Sequence, residues 1–139
     1  MTDIVYVDTN LYLDLKLDRR DKYRNLGELA FEMLKRGRDC NFKLACSDWV
    51  IHEFSKYVVK EELLEELEKF KQKNKLIMVY KTLEDWNIAK SLSKNHPDDA
   101  LHYILAKKSG AKILCTRNWR DYDFITAESK ILVLDPEAI

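Results

Sequence analysis

Short β-rich runs alternate with longer helical stretches along this 139-residue chain. Residues 4–7 are uncharged, β-branched and aromatic, which is typical of a buried strand. Residues 25–36 then carry apolar side chains at helical spacing, and the two patterns keep alternating. Strands separated by helices need crossover connections, which favour parallel pairing. We therefore predict one α/β domain over residues 1–139, a three-layer α/β/α sandwich around a central, mostly parallel sheet of four to five strands.

The same patterns predict where the elements begin and end. The strands are expected at residues 4–7, 42–46, 76–80, 113–115 and 131–134. The helices are expected at residues 10–17, 25–36, 48–57, 60–73, 83–94 and 98–108. The residues expected to cap or end them are Asn10, Ser47 or Asp48, and Asp98 or Asp99 at N-termini, and Gly37 and Gly110 at C-termini.

Composition excludes several classes of protein. Three glycines and two prolines are too few for a turn-rich all-β fold. No apolar run approaches the roughly 20 residues that cross a bilayer, and Asp3 and Asp8 interrupt the N-terminal segment before a signal-peptide core develops. The cysteines, Cys40, Cys46 and Cys115, form neither an even set nor a CxxC pair, which favours a reducing compartment and no zinc site. We therefore expect a cytoplasmic protein without membrane contact.

Charge limits how the protein can hold a polyanion. The chain carries 24 basic and 24 acidic residues, so its net charge is zero. Proteins that attract nucleic acid by their overall charge are usually basic. A polyanionic partner would therefore have to be held by local basic patches or by bound cations.

Polar residues cluster near the ends of the predicted strands. They are Asp8, Glu53, Asp98, Asp99, Asn118, Asp121 and Asp123. Because binding sites in parallel sheets form at the carboxyl ends of the strands, we expect several of these side chains to converge. Converging carboxylates raise one another's pKa, and a divalent cation with oxygen ligands removes this conflict. Each aspartate alone can also be explained as a helix cap; Asp8 fits that explanation least well, because Asn10 is available to cap the first helix.

Four segments, which carry Asp8, Glu53, Asp99 and Asn118, resemble motifs of the PIN-domain family. They are Val-Tyr-Val-Asp-Thr-Asn at 5–10, Asp-Trp-Val-Ile-His-Glu-Phe at 48–54, Asp-Ala-Leu-His at 99–102 and Thr-Arg-Asn at 116–118. Their order is that of the family, and together they span nearly the whole chain. The resemblance implies an α/β/α sandwich and a nuclease that uses Mg²⁺ or Mn²⁺ and acts on RNA. Small members are often toxin ribonucleases of prokaryotic toxin–antitoxin pairs, so it also implies an antitoxin partner, and we expect a homodimer.

The resemblance also implies roles for individual residues. Asp8, Glu53 and Asp99 would be catalytic acids that bind the metal. For the fourth acid we favour Asp121 over Asp123. The supporting residues would be Thr9 and Asn10 beside Asp8, Thr116 in the last loop, and Asn118 as a neutral contact.

Basic and aromatic residues flank the last of these motifs. Arg117 and Arg120 are the expected contacts to RNA phosphates. Trp119 and Tyr122 either stack on unpaired bases or seal the edge of the sheet.

The histidines suggest weaker alternatives. His52 and Glu53 begin an HExxH pattern, but Lys56 stands at its last position, so a zinc protease is excluded. His102 lies three residues beyond Asp99 and either orients it or only packs in the core. His96, before a proline, is expected on a surface loop.

Two other functions compete with a nuclease. A PIN-fold RNA-binding or interaction module would have an incomplete site, and Asn118 in place of an acid would be its sign. A receiver-like phospho-acceptor domain would need paired acids before the end of the first strand and a later lysine, which the sequence does not provide.

Overall fold

Five short strands pair in parallel, as the alternating pattern predicts. The computed structural model describes residues 3–125 and 129–139. Its strands are β1 (Asp3–Val7), β2 (Phe42–Ser47), β3 (Leu76–Val79), β4 (Ile113–Cys115) and β5 (Leu132–Leu134). Its α-helices are α1 (Thr9–Leu17), α2 (Leu26–Arg36), α3 (Asp48–Phe54), α4 (Lys60–Lys71), α5 (Leu83–Leu92) and α6 (Pro97–Ser109).

The strand order β3-β2-β1-β4-β5 explains the layers of the fold. The chain moves from β1 through β2 to β3 and then returns to place β4 on the other side of β1. With right-handed crossovers, α1 to α4 cover one face of the sheet, and α5 and α6 cover the other. The predicted three-layer α/β/α sandwich is therefore confirmed. Among the described residues, no helix is both long and apolar enough to cross a membrane.

The central strand β1 is covered on both faces. Val5, Tyr6 and Val7 are all buried, as are Leu44 in β2 and Leu114 in β4. A strand buried on both sides has no polar face, which is why its sequence is a continuous apolar run. The strand order reverses beside β1, and a crevice opens at such a point beyond the carboxyl ends of the strands.

Two of the predicted helix starts are wrong. α1 begins at Thr9, so Asp8 takes the N-cap position in place of Asn10, but the Asp8 side chain makes no capping hydrogen bond. α6 begins at Pro97, where the ring's fixed φ suits a first helical residue, and neither Asp98 nor Asp99 caps it. Asp8, Asp98 and Asp99 therefore make no capping hydrogen bond, and capping was the alternative to a metal site for these acids.

The two predicted helix-ending glycines differ. Gly110 ends α6 in the left-handed conformation with φ of 81°, as expected. α2 ends at Arg36 directly before Gly37, as predicted, but Gly37 has right-handed helical geometry and begins a π-helical turn over Gly37–Asn41 that leads into β2. A Cβ atom at Gly37 would overlap the ring of Phe42, which explains a glycine here by close packing. α3 ends three residues earlier than predicted, and α4, β3 and α5 end one or two residues earlier.

A buried ion pair fixes the segment that follows β4 against α1. The Asp14 carboxylate is fully buried and accepts hydrogen bonds from Arg117 Nε at 2.5 Å and Nη2 at 3.0 Å. Arg19 lies 3.7 Å from the same carboxylate. Burial nevertheless raises the pKa of Asp14, because desolvation outweighs the opposing effect of Arg117. The pair therefore serves to position the segment more than to stabilise the fold.

We expect Arg117→Met to lower the free energy of unfolding by about 3 kcal/mol, because it leaves Asp14 buried without its main partner. The double variant Asp14→Leu/Arg117→Met should recover most of this loss, because it removes both charges. Urea unfolding of the two variants and the wild type measures the difference. A double variant no more stable than Arg117→Met would contradict this account of the ion pair.

Candidate active site

One pocket lies beyond the carboxyl ends of β1 and β4 and collects most of the predicted acids. Asp8, Glu53, Asp98 and Asp99 all line it, although they come from different parts of the chain. Asn10 lines the same pocket. The convergence expected from the parallel sheet is thus present in the structure.

Asp8 is buried at the centre of this pocket. Its Oδ2 atom accepts a hydrogen bond of 2.8 Å from Thr116 Oγ1, and its Oδ1 atom lies 3.6 Å from His102 Nε2. Thr116 also accepts a bond of 3.1 Å from the Asn118 N–H, which steadies the loop after β4. One threonine thus holds both the acid and the loop.

Glu53 reaches the pocket from α3. Its Oε1 atom accepts hydrogen bonds from Thr9 Oγ1 at 2.6 Å and from His102 Nε2 at 2.7 Å. Thr9 was expected to support Asp8 but contacts Glu53 instead, because its hydroxyl reaches across from the first turn of α1 to α3. Burial alone would raise the pKa of Glu53; the hydrogen bonds from His102 and Thr9 and the charge of His102 outweigh it, so the net pKa is lowered.

The pKa of Asp99 is shifted in the opposite direction from that of Glu53. Burial and the negative charge of Asp8 raise its pKa to about 7, and the charge of Asp121 adds to this effect. A carboxylate with a raised pKa in a crowded acidic pocket lacks sufficient positive charge nearby. A divalent cation bound by oxygen ligands would supply it.

The sequence left the role of His102 open, and the structure shows which groups this residue contacts. It neither orients Asp99 nor only packs in the core: its Nε2 atom binds Glu53, and its Nδ1 atom lies 2.8 Å from the Tyr6 hydroxyl. Burial alone would lower its pKa, but Glu53 and the nearby negative charges raise it overall. The three-residue spacing from Asp99 showed a shared helix face but could not show that the partner lies on α3.

His96 lies on the loop before α6, as expected, and that loop forms part of the rim of the pocket. Its Nδ1 atom is 3.9 Å from an Asp99 oxygen, and its Nε2 atom is 3.9 Å from an Asp121 oxygen. Asp121 lies in a 3₁₀ turn over Trp119–Tyr122 and is half-buried, whereas Asp123 is exposed. Of the two candidates for a fourth acid, Asp121 is thus the one beside the pocket.

Some basic and aromatic residues of the loop after β4 contact the interior of the protein, and others are exposed. Arg117 is engaged by Asp14, so its expected role as a phosphate contact is not supported by its geometry. Arg120 lies over the ring of the exposed Trp119, with the guanidinium carbon 5.0 Å from the ring centre. Tyr122 is buried and seals the sheet edge.

The donor set fits a divalent metal ion. Ligand atoms of Asp8, Glu53 and His102 lie within 4.8 Å of one another, and those of His96, Asp99 and Asp121 form a second such group. In the first group His102 Nε2 is already bound to Glu53 Oε1, so the two carboxylates would hold the ion. Carboxylate oxygens dominate both groups, which suits Mg²⁺ or Mn²⁺. Burial first, and then the negative charge of Asp8, raises the pKa of Asp99, and a bound cation would oppose this shift.

We expect Asp99→Asn to stabilise the metal-free protein at pH 8 by roughly 2–4 kcal/mol. The folded protein holds the pKa of Asp99 at about 7, above its usual value near 3.8, so ionising this group costs stability as the pH rises between these values. The gain should therefore be smaller at pH 5. Denaturant unfolding in EDTA at both pH values measures it, with the exposed Asp98→Asn as the control. A variant less stable than the wild type at both pH values would indicate that Asp99 stabilises α6 instead.

Comparison with known proteins supports the fold. No protein-family model and no curated protein matches the chain. A chain in the crystal structure of VapBC2 from Rickettsia felis, bound to a DNA fragment from their promoter, has a TM-score of 0.58 and 18% identity, covering 95% of this chain and 98% of that one. VapC20 from Mycobacterium tuberculosis, a sarcin-ricin loop cleaving toxin, has a TM-score of 0.58 and 13% identity, covering 87% and 96%. At these identities the similarity shows the fold, and it confirms the PIN-like architecture that the sequence motifs implied.

Proposed function

We propose that the protein is an Mg²⁺- or Mn²⁺-dependent endoribonuclease that hydrolyses phosphodiester bonds in RNA. The observation that carries this proposal is the convergence of Asp8, Glu53 and Asp99 in one pocket, with Asp121 at its rim. Structural similarity to VapC20, a toxin that cleaves the sarcin-ricin loop, supports the same chemistry.

The acids would hold the metal, and each has an oxygen available for it. Thr116 occupies Oδ2 of Asp8 and leaves Oδ1 without a hydrogen bond of 3.5 Å or less among the described residues. Thr9 and His102 both occupy Oε1 of Glu53 and leave Oε2 free in the same sense. When bound, a divalent cation supplies an activated water and stabilises the charge that develops on phosphorus.

Substrate binding would combine this pocket with the loop after β4. Bound cations would allow an acidic pocket to bind phosphate. The protein could then hold RNA although its net charge is zero. Arg120 would contact phosphate, and the exposed Trp119 would stack on an unpaired base.

We further propose that the protein is the toxin of a toxin–antitoxin pair and acts in the cytoplasm as a homodimer. The similarity to VapC20 and to the VapBC2 structure supports an antitoxin protein as its partner. The competing function is an inactive RNA-binding or interaction module. Asn118 in place of an acid favours it, whereas Asp121 at the rim of the pocket favours the nuclease.

Purified protein should cleave single-stranded RNA in Mg²⁺ or Mn²⁺, and EDTA should abolish the activity. Asp8→Asn should remove cleavage because it deletes the buried charge at the centre of the site. Asp3→Asn, at the opposite end of β1, is the matched control and should leave cleavage unchanged. Gel analysis of labelled RNA is the measurement. RNA binding without cleavage in either metal would favour the inactive module, and cleavage that survives chelation would exclude the metal mechanism.

Asp121→Asn should weaken Mg²⁺ binding by about 10–100-fold, and Asp123→Asn should leave it nearly unchanged. The reason is position, since Asp121 faces His96 at the rim whereas Asp123 is exposed. Isothermal titration of the two variants compares the affinities. Equal affinities would mean that the site works with three acids, and a larger loss at Asp123 would assign the fourth acid to that residue.

A further inference from the structure

The imidazole of His102 is bound by protein groups at both of its nitrogens. Nε2 lies 2.7 Å from Glu53 Oε1, and Nδ1 lies 2.8 Å from the Tyr6 hydroxyl. The side chain is 1% exposed. A buried histidine that is hydrogen-bonded at both nitrogens has a fixed ring orientation. The groups that fix Nδ1 therefore also fix the position of Nε2 and of the carboxylate bound to it.

The groups behind His102 form a hydrogen-bond relay that runs from Val50 through Ser47 and Tyr6 to His102 and Glu53. Ser47 Oγ accepts a bond of 3.2 Å from the Val50 N–H, and it lies 2.7 Å from the Tyr6 hydroxyl. Nε2–H donates to Glu53 in either charge state of the imidazole. A neutral ring accepts at Nδ1 from Tyr6, which accepts from Ser47, whereas an imidazolium donates from Nδ1 to Tyr6, which then donates to Ser47.

Glu53 needs such an anchor because of its position on the chain. It lies in the last turn of α3, a helix of seven residues that ends at Phe54. The relay reaches it from β1, β2 and α6, so three separate elements fix one carboxylate. Thr9 binds the same oxygen, and the result is that Oε1 is held while Oε2 remains for another ligand.

We propose that His102, supported by Tyr6, is a positioning residue that fixes Glu53 for divalent-metal binding. This inference rests on the proposed nuclease function and adds to it a histidine that does not itself touch the metal. Outer groups that orient a ligand typically change metal affinity by 10–100-fold when they are removed.

The test is the Mn²⁺ affinity of the metal-free protein, measured by isothermal titration. His102→Leu keeps the bulk of the side chain but removes the donor, and it should weaken binding by about 10–100-fold. His102→Gln places an amide N–H near the former Nε2 position and should recover most of the affinity. Tyr6→Phe removes one hydroxyl from the relay and should weaken binding by a smaller factor. His52→Leu, an exposed histidine beside Glu53 on α3, is the matched control and should bind as the wild type does.

The outcomes separate this inference from the proposed function. Wild-type protein that binds no Mn²⁺ overturns both. Wild-type protein that binds Mn²⁺ while His102→Leu binds equally well overturns the positioning role alone. A His102→Gln variant as weak as His102→Leu also overturns it, because it would mean that the imidazole itself is required. Tyr6→Phe decides the question if His102→Leu fails to fold, and unchanged affinity in Tyr6→Phe would then overturn the proposal.

Discussion

The parallel pairing of β1 with β4 is the constraint on which the site depends. The ladder continues one residue beyond β1, since Asp8 N–H donates to Cys115 O at 3.0 Å, and the register of the two strands pairs Val7 with Cys115. Asp8 and Thr116 therefore lie side by side, and the threonine hydroxyl meets the carboxylate. A shift of one of these strands by one residue would turn its own side chain, Asp8 or Thr116, to the other face of the sheet and break this contact.

The sequence was sufficient to predict the sheet and the acidic residues that lie at its edge. The predicted strands, the parallel pairing and the convergence of Asp8, Glu53 and Asp99 all follow from periodicity and from the geometry of crossovers. Helix starts were less predictable. Asn10 is a good capping residue by type, but the chain already turns at Asp8 as it leaves β1, and a proline fixes the start of α6 at position 97.

Side-chain partners across elements could not be predicted, because they depend on distances that the sequence does not contain. Arg117 resembles a free phosphate contact until α1 is placed beside it and Asp14 is found buried there. Thr9 follows Asp8 directly in the chain, yet its hydroxyl binds Glu53, 44 residues away. The partners of His102 are equally distant, and a lone histidine on a helix face gives no sign of them in the sequence.

The acids of the pocket differ in how far their surroundings stabilise their negative charge. Hydrogen bonds from His102 and Thr9 stabilise the charge of Glu53, and its pKa falls. For Asp99 the charges of His102 and His96 do not outweigh burial and the negative charges of Asp8 and Asp121, and its pKa rises to about 7. The negative charge that still lacks compensation is therefore that of Asp99, on the side of the pocket where His96 and Asp121 lie. On the proposed function, this difference gives the acids separate tasks: Glu53 is already ordered before a metal arrives, whereas Asp99 becomes fully ionised at neutral pH only when a cation compensates it. Metal binding and the charge state of the site are then a single coupled event, and a protein of zero net charge gains its affinity for phosphate only when that event takes place.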